Sequence, residues 1–462
     1  MNQAHHTRQP SRPDRRRARS RWQAVGLAGV TGLALTTAGI AATPAADAAE
    51  RTLTSTEDRP GQLDRPSSDS HRDEGKPDDT ATSRDKSKKQ IKRSKGVPVP
   101  CGADKLIAAI TLANARGGTV LDLAKKCTYL LTADIDDGNG LPTITAPITL
   151  NGGKHTTITR AAGVEQFRIV TVGTGGDLTL NHLKITGGQT DGDGGAILVN
   201  PGGALTTNHS KVVRNIAGDS GGGIVNNGIA SVEHSTVGRN TAVFGGGIFN
   251  RGQLTLKKSR VGMNNGGEGA GIFSLGSTNV THSDITRNQA SDAGGGLFMT
   301  SGTHTFTRTH IAKNTAPQAG GFLVNAPGQV TFRKVLLADN AATSQLGGGA
   351  VVSSDALFVA NDSTIKNNTT ATDGGGLSNS GEIVLRRTKV IGNQASGLGG
   401  GIENEASGTL TLFGTKVTNN LAATDGGGIF NNGGTVVLNT ATGTVVVKNR
   451  PNNCAGVPGC PG

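Results

Sequence analysis

The sequence predicts an all-β solenoid: a right-handed parallel β-helix with three short strands per coil of roughly 25 residues and an N-terminal capping helix. Three observations predict it. A glycine pair or triplet followed by an apolar residue recurs ten times, with anchors at Ile197, Ile224, Ile248, Ile272, Leu297, Phe322, Ala350, Leu377, Ile402 and Ile429. Each period holds three strand-like pieces: one after the glycines, one after a turn (Gln253–Leu256, Gln329–Phe332, Glu382–Leu385), and one of the form Ser/Thr-x-aliphatic-x-x-Asn. Apolar residues also fall in short β-branched runs, as strands require. Parallel crossovers are almost always right-handed, which sets the hand.

The elements follow in chain order. A cluster from Arg8 to Arg21 precedes an Ala/Gly/Leu/Val/Thr run from Ala24 to Ala42 and the small-x-small site Ala46-Asp47-Ala48. Residues 1–48 therefore read as a secretory signal, leaving no transmembrane segment in the mature chain. Residues 49–100 mix Arg, Lys, Asp, Ser and Pro with few aliphatics, the composition of a disordered tether. The four cysteines fit an oxidising compartment. Three pairings are formally open; Cys101 with Cys127 and Cys454 with Cys460 is favoured, because the ends of a long solenoid cannot meet. Neither spacing nor neighbours suit zinc, and no cofactor is implied.

Residues 103–116 read as the capping helix, with Leu106, Ile107, Ile110 and Leu112 on its apolar face and Gly117-Gly118 ending it. It covers strand edges that the first coil would otherwise leave open. The β-helix itself is expected over 101–450, followed by a disulfide-bonded tail at 451–462. Within each coil, glycine suits a tight corner. Asn suits left-handed geometry at the opposite corner, with its amide bonding the Asn of adjacent coils. Phe249, Phe273 and Phe298 follow the inward aliphatic on consecutive coils, and Ser378 and Glu403 occupy equivalent positions. This pattern is expected to face outward, as an apolar ladder for self-association or for docking a loop.

The glycine and Asn phrases, as in Gly245-Gly246-Gly247-Ile248-Phe249-Asn250 and Val237 to Asn240, resemble the paired motifs of the chlamydial polymorphic outer-membrane protein repeat. The likeness covers about residues 194–450. It implies the pectin-lyase-like right-handed β-helix and roles in surface adhesion or polymer contact. The chain departs from that family in having no C-terminal membrane barrel.

Few residues point to chemistry. Asp193, Asp219, Glu268, Asp292, Asp373 and Asp425 precede the glycine corner and are expected to be solvated. Asp134, Asp136 and Asp137 read as a turn rather than a cation loop. No catalytic or metal-ligating set is assigned.

Charge is distributed less evenly. Net charge is +12 overall, but residues 1–100 alone hold 19 Lys/Arg against 12 Asp/Glu, so the total says little about partners. Between residues 209 and 420, 16 of 17 Lys/Arg fall in the seven positions before a corner Asn, against 4 of 12 Asp/Glu. The expected stripe comprises His209, Lys211, Arg214, His234, Arg239, Lys258, Arg260, His282, Arg287, Arg308, Lys313, Lys334, Arg387 and Lys389. Stacked like charges cost stability, so a single-sign column suggests a binding face for an anionic cell-wall or extracellular polymer. If Trp22 leaves with the signal, no Trp remains to stack on neutral sugars or bases. The expected function is that of a secreted or surface-associated interaction protein. The alternatives are a uronate polysaccharide lyase, using His234 with Arg239 or His282 with Arg287, and a structural coat component.

Overall fold

The computed structural model describes residues 96–460. The expected signal segment and all but the last residues of the expected tether lie outside that range.

Each coil follows one path. A three-residue strand after the glycines leads through a turn to a five-residue strand. A left-handed corner then leads to a second three-residue strand, and a second left-handed corner returns the chain to the glycines. Stacked coils form three parallel sheets. The first has fourteen strands, from Val97–Val99 to Thr435–Asn439; the second has twelve, from Val170–Val172 to Cys454–Ala455; the third has thirteen, from Thr128–Leu131 to Val445–Val447. The ten anchors pair in register down the second sheet, Ile197 with Ile224, Ile224 with Ile248, and so on to Ile402 with Ile429. Equal register demands equal side-chain direction at every step, so one aliphatic column fills the interior. These anchors are fully buried.

Departures from expectation are local. Val97–Val99 already forms a strand against Leu121–Leu123, so the ordered chain begins inside the segment read as tether. The tail also continues the solenoid, because Cys454 pairs with Ile429 in the second sheet. The bridges are Cys101–Cys127 and Cys454–Cys460. The helix spans Ala103–Ala115 and buries Leu106, Ile110 and Ala113, while Leu112 is half exposed. Positions 106, 110 and 113 follow the 3.6-residue period, and Leu112 falls off that line. Between the second corner and the glycines, nine coils carry a fourth short strand, two in one small sheet and seven in another, such as Thr315–Ala316 paired with Ala341–Ala342.

The glycine corner is dictated by space. Gly245 has φ +59°, and a Cβ on Gly247 would lie 2.5 Å from the Gly271 carbonyl oxygen of the next coil. Above this corner runs the Asn ladder. Asn240 Oδ1 accepts from both the backbone N–H and the Nδ2 of Asn215 at 3.0 Å, and Asn240 Nδ2 donates to Asn264. The chain of amides continues through Asn288, Asn314, Asn340, Asn368, Asn393 and Asn420 to Asn449. None of these has positive φ. The left-handed residue is the one before, as in Arg239 (φ 57°) and Arg287 (φ 58°). The buried Asn serves the ladder and its predecessor makes the corner, so the expected assignment is displaced by one residue.

The aromatic ladder does not face solvent. Phe249, Phe273 and Phe298 stack at 5.2 and 4.8 Å but are 3%, 7% and 6% exposed. They form a second apolar cluster with Val225, Leu323 and Val351, with Phe244 packed against it. Phe244 meets Phe273 edge-on at 5.6 Å from the chain between second corner and glycines. That segment folds back over the outer face of the second sheet, so the ladder is satisfied within the chain and offers no self-association surface. Ser378 and Glu403 are covered in the same way. Burial pushes the Glu403 carboxyl up to about 8, with Glu405 and Asp373 acting in the same direction.

Candidate polyanion-binding face

The site is built on two left-handed corners that flank the third sheet. The first-corner column reads His182, His209, His234, Lys258, His282, Arg308, Lys334, Asp362, Arg387 and Gly414, with φ between 47° and 56° at every non-glycine position. The second-corner column includes Arg214, Arg239, Met263, Arg287, Lys313, Asp339, Asn367 and Asn419.

Buried polar ladders hold both corners. Beside the first, Ser210 N–H donates to Ser235 Oγ, Ser235 N–H to Ser259 Oγ, and Ser259 N–H to Ser283 Oγ, at 3.0–3.1 Å. Each Oγ also donates back two residues, as from Ser259 to the Lys257 carbonyl oxygen at 2.9 Å. Beside the second corner lies the Asn ladder. Every corner side chain is thus attached to backbone fixed on its buried side, which directs it outward.

Left-handed φ costs an L-residue about 1 kcal/mol, and Gly, Asn, Asp and His are the more tolerant occupants. Eight of the ten first-corner residues are His, Lys or Arg, and four of these are Lys or Arg. Ring centroids of His182, His209 and His234 lie 4.9 and 4.8 Å apart, which gives the coil step directly. Neighbouring Lys and Arg charges repel one another, which opposes folding as left-handed φ does, and neither is needed to make a corner.

The sequence-derived residues distribute as follows. His209, His234, Lys258, His282, Arg308, Lys334 and Arg387 occupy the first corner; Arg214, Arg239, Arg287 and Lys313 occupy the second. Lys211, Arg260 and Lys389 open the strands between them. All are exposed except Arg260, which is half buried beside Gly262, where a Cβ would lie 3.1 Å from its Nε. The stripe is therefore two corner columns with a strand between them, rather than one alternating strand face. The candidate lyase pairs do not converge: His234 and Arg239 sit at opposite corners of the strand Thr236–Gly238, and His282 and Arg287 at opposite corners of Asp284–Thr286.

Acidic residues break the stripe toward its C-terminal half. Asp362 accepts from Arg387 Nε at 2.7 Å and Nη2 at 3.0 Å. That hydrogen bonding holds the Asp362 carboxyl below its ordinary range. Asp284 lies 3.1 Å from His310 Nδ1. Of the expected solvated acids, Asp373 and Asp425 are half buried and cap backbone N–H groups at the glycine corner, Leu398 and Gly426 respectively. Asp136 accepts from Thr143 N–H at 2.7 Å and closes a turn.

A family model described as a right handed beta helix region matches residues 270–450. The chain is a parallel β-helix protein. No curated protein and no solved structure matches it. Among the described residues, no helix of this β-helix protein is long and apolar enough to cross a membrane.

The β-helix also carries stripe residues that the sequence reading missed. Lys154, His155, His182 and Lys184 line an open concavity of about 420 Å³ together with His209 and Lys211. A second concavity of about 290 Å³, lined by Arg308, Arg333, Lys334 and Arg387 with Asp362, lies further along the same corner. The basic column thus passes two separate concavities, one near each end. The missed residues belong to coils such as Asn181-His182-Leu183-Lys184-Ile185-Thr186-Gly187-Gly188, which lack the Ser and Asn used to index the others. Only their stacking register brings them into line, with Lys184 paired to Lys211.

Proposed function

We propose that this is a secreted or surface-associated interaction protein whose basic corner groove binds a linear anionic polymer. The observation that carries the reading is the first-corner column, where left-handed positions on stacked coils hold eight His, Lys or Arg residues, with an open concavity near each end. A linear polyanion lying along the solenoid would meet one such residue per coil and relieve their mutual repulsion. Wall teichoic acid, uronate polysaccharide and extracellular nucleic acid share that chemistry. Two disulfides support an oxidising, extracellular setting. The chlamydial repeat resemblance points to surface contact as well.

Retention on immobilised polyphosphate, polygalacturonate and DNA, with uncharged dextran as control, tests the reading. Salt-reversible retention on the anionic matrices is expected. Passage through all of them at low salt would refute it.

A further inference from the structure

The N-terminal end of the groove differs in chemistry from the rest. Its first-corner residues are three consecutive histidines, His182, His209 and His234, exposed and stacked with interplanar angles of 22° and 1°. His155 joins the first two in the larger concavity, which also presents Lys154, Lys184 and Lys211. From Lys258 onward, the same column is mostly Lys and Arg, whose charge does not change near neutrality.

We propose that this histidine end is a proton-coupled anchoring subsite, which grips clustered phosphate or carboxylate groups of the polymer more tightly as pH falls. The inference rests on the polyanion reading above and divides that groove into two chemically distinct parts. Imidazole is the side chain whose charge ordinarily changes between pH 5 and 8. Here each ring faces another ring one coil away, so an anion seated against one ring is within reach of the next. Lys154, Lys184 and Lys211 from the adjoining strands and turn add positive charge, and Lys258 follows one coil beyond His234. The nearby acids are Glu233, half buried at the end of the strand leading into His234 and paired with Lys257 of the next coil, and Asp122, which accepts from Asn151 Nδ2 at 2.9 Å one coil before His155. Two carboxylates do not balance four imidazoles and five ammonium groups.

An anion seated in the concavity supplies the missing countercharge. It favours the protonated rings, and by reciprocity the protonated rings favour the anion. Each fully coupled proton changes affinity by up to about tenfold per pH unit. The C-terminal concavity, built on Arg308, Arg333, Lys334 and Arg387, has no imidazole and stays insensitive over the same range.

The test is binding of long-chain polyphosphate and of polygalacturonate at pH 7.5 and 5.5 and constant ionic strength. Wild-type protein is compared with the combined His182→Asn, His209→Asn and His234→Asn variant. Asn accepts the left-handed corner and carries no charge. Wild-type affinity is expected to rise about tenfold or more on acidification with at least one probe. The variant should lose the rise, so that its own affinities at pH 7.5 and 5.5 agree within about twofold. A parallel readout is the proton NMR titration of the imidazoles, whose midpoint should move to higher pH when polyphosphate is added. Binding that is independent of pH in the wild type, or a rise retained by the variant, overturns the subsite while leaving the broader groove intact. Absence of binding to either probe at both pH values overturns both.

Discussion

Replacing Asn288 by Ala removes one rung from the middle of the Asn ladder. In the intact chain its Oδ1 accepts from the backbone N–H and the Nδ2 of Asn264, both at 3.0 Å. Its Nδ2 donates to the Val261 carbonyl at 3.2 Å and to Asn314 Oδ1 at 3.0 Å. All of these groups are buried, so four hydrogen bonds vanish and no water replaces them. At about 1 kcal/mol per bond, the loss is about 4 kcal/mol, and more where a donor is left unpaired. The amide also lies over the glycine corner, where a Cβ on Gly271 would sit 2.9 Å from Asn288 Nδ2, so deletion leaves a void there as well. Urea unfolding followed by circular dichroism measures the total. Hydrogen exchange measures the locality, because the Asn264 amide loses its acceptor and should exchange far faster. Asn279→Ala, on the exposed face of a neighbouring strand, is the control and should change stability by no more than about 0.5 kcal/mol. A cost below about 1 kcal/mol for Asn288→Ala, or an unchanged Asn264 exchange rate, would refute the ladder as a principal element of the fold.

Two buried ionisable groups give pH-dependent predictions of opposite sign. Burial lowers His304 to about 4, and its Nδ1 has no hydrogen-bond partner. The fold therefore prefers the neutral ring, and this contribution is fully present above pH 6.5 and lost as pH falls toward 4. Its full size is about 3 kcal/mol, and His304→Leu should flatten the slope of urea midpoint against pH in that window. Glu403, raised to about 8 chiefly by burial, is favoured in its protonated form. Its contribution is present below pH 4.5 and lost as pH rises toward 8. Glu403→Gln should therefore raise Tm relative to wild type at pH 8.5 and leave it nearly unchanged at pH 4.5. Equal Tm differences at the two pH values would contradict the assignment.

The solenoid was legible because one period governs both the sequence and the stacking. Ile197, Ile224 and Ile248 can be aligned by eye, and the coils pair at those residues. What sequence could not supply was the path of the chain between the second corner and the glycines. Two-residue strands such as Ala341–Ala342 carry no alternation to read, yet this segment covers Phe273 and Glu403 and turns an expected outer face into core. The left-handed corners were hidden for a related reason. His234 and Arg239 carry none of the local chemistry that marks positive φ, and the neighbouring Asn attracted the assignment instead. The placement of the basic residues from Lys211 to Lys389 around the third sheet was legible once they were sorted by period. That of the first coils was not, since Lys154 and His182 lie where the indexing phrase has decayed.

The most direct test of the proposed binding face is the salt dependence of polyphosphate affinity. Wild-type protein is compared with a variant reversed to Glu at Arg214, Arg239, Lys258 and Arg287, all exposed at the two corners. Each ionic contact contributes a little under one unit to the slope of log affinity against log salt, so the variant should lose about 3 or more. Weaker binding with an unchanged slope, or unchanged binding, would contradict the groove as the site of ionic recognition.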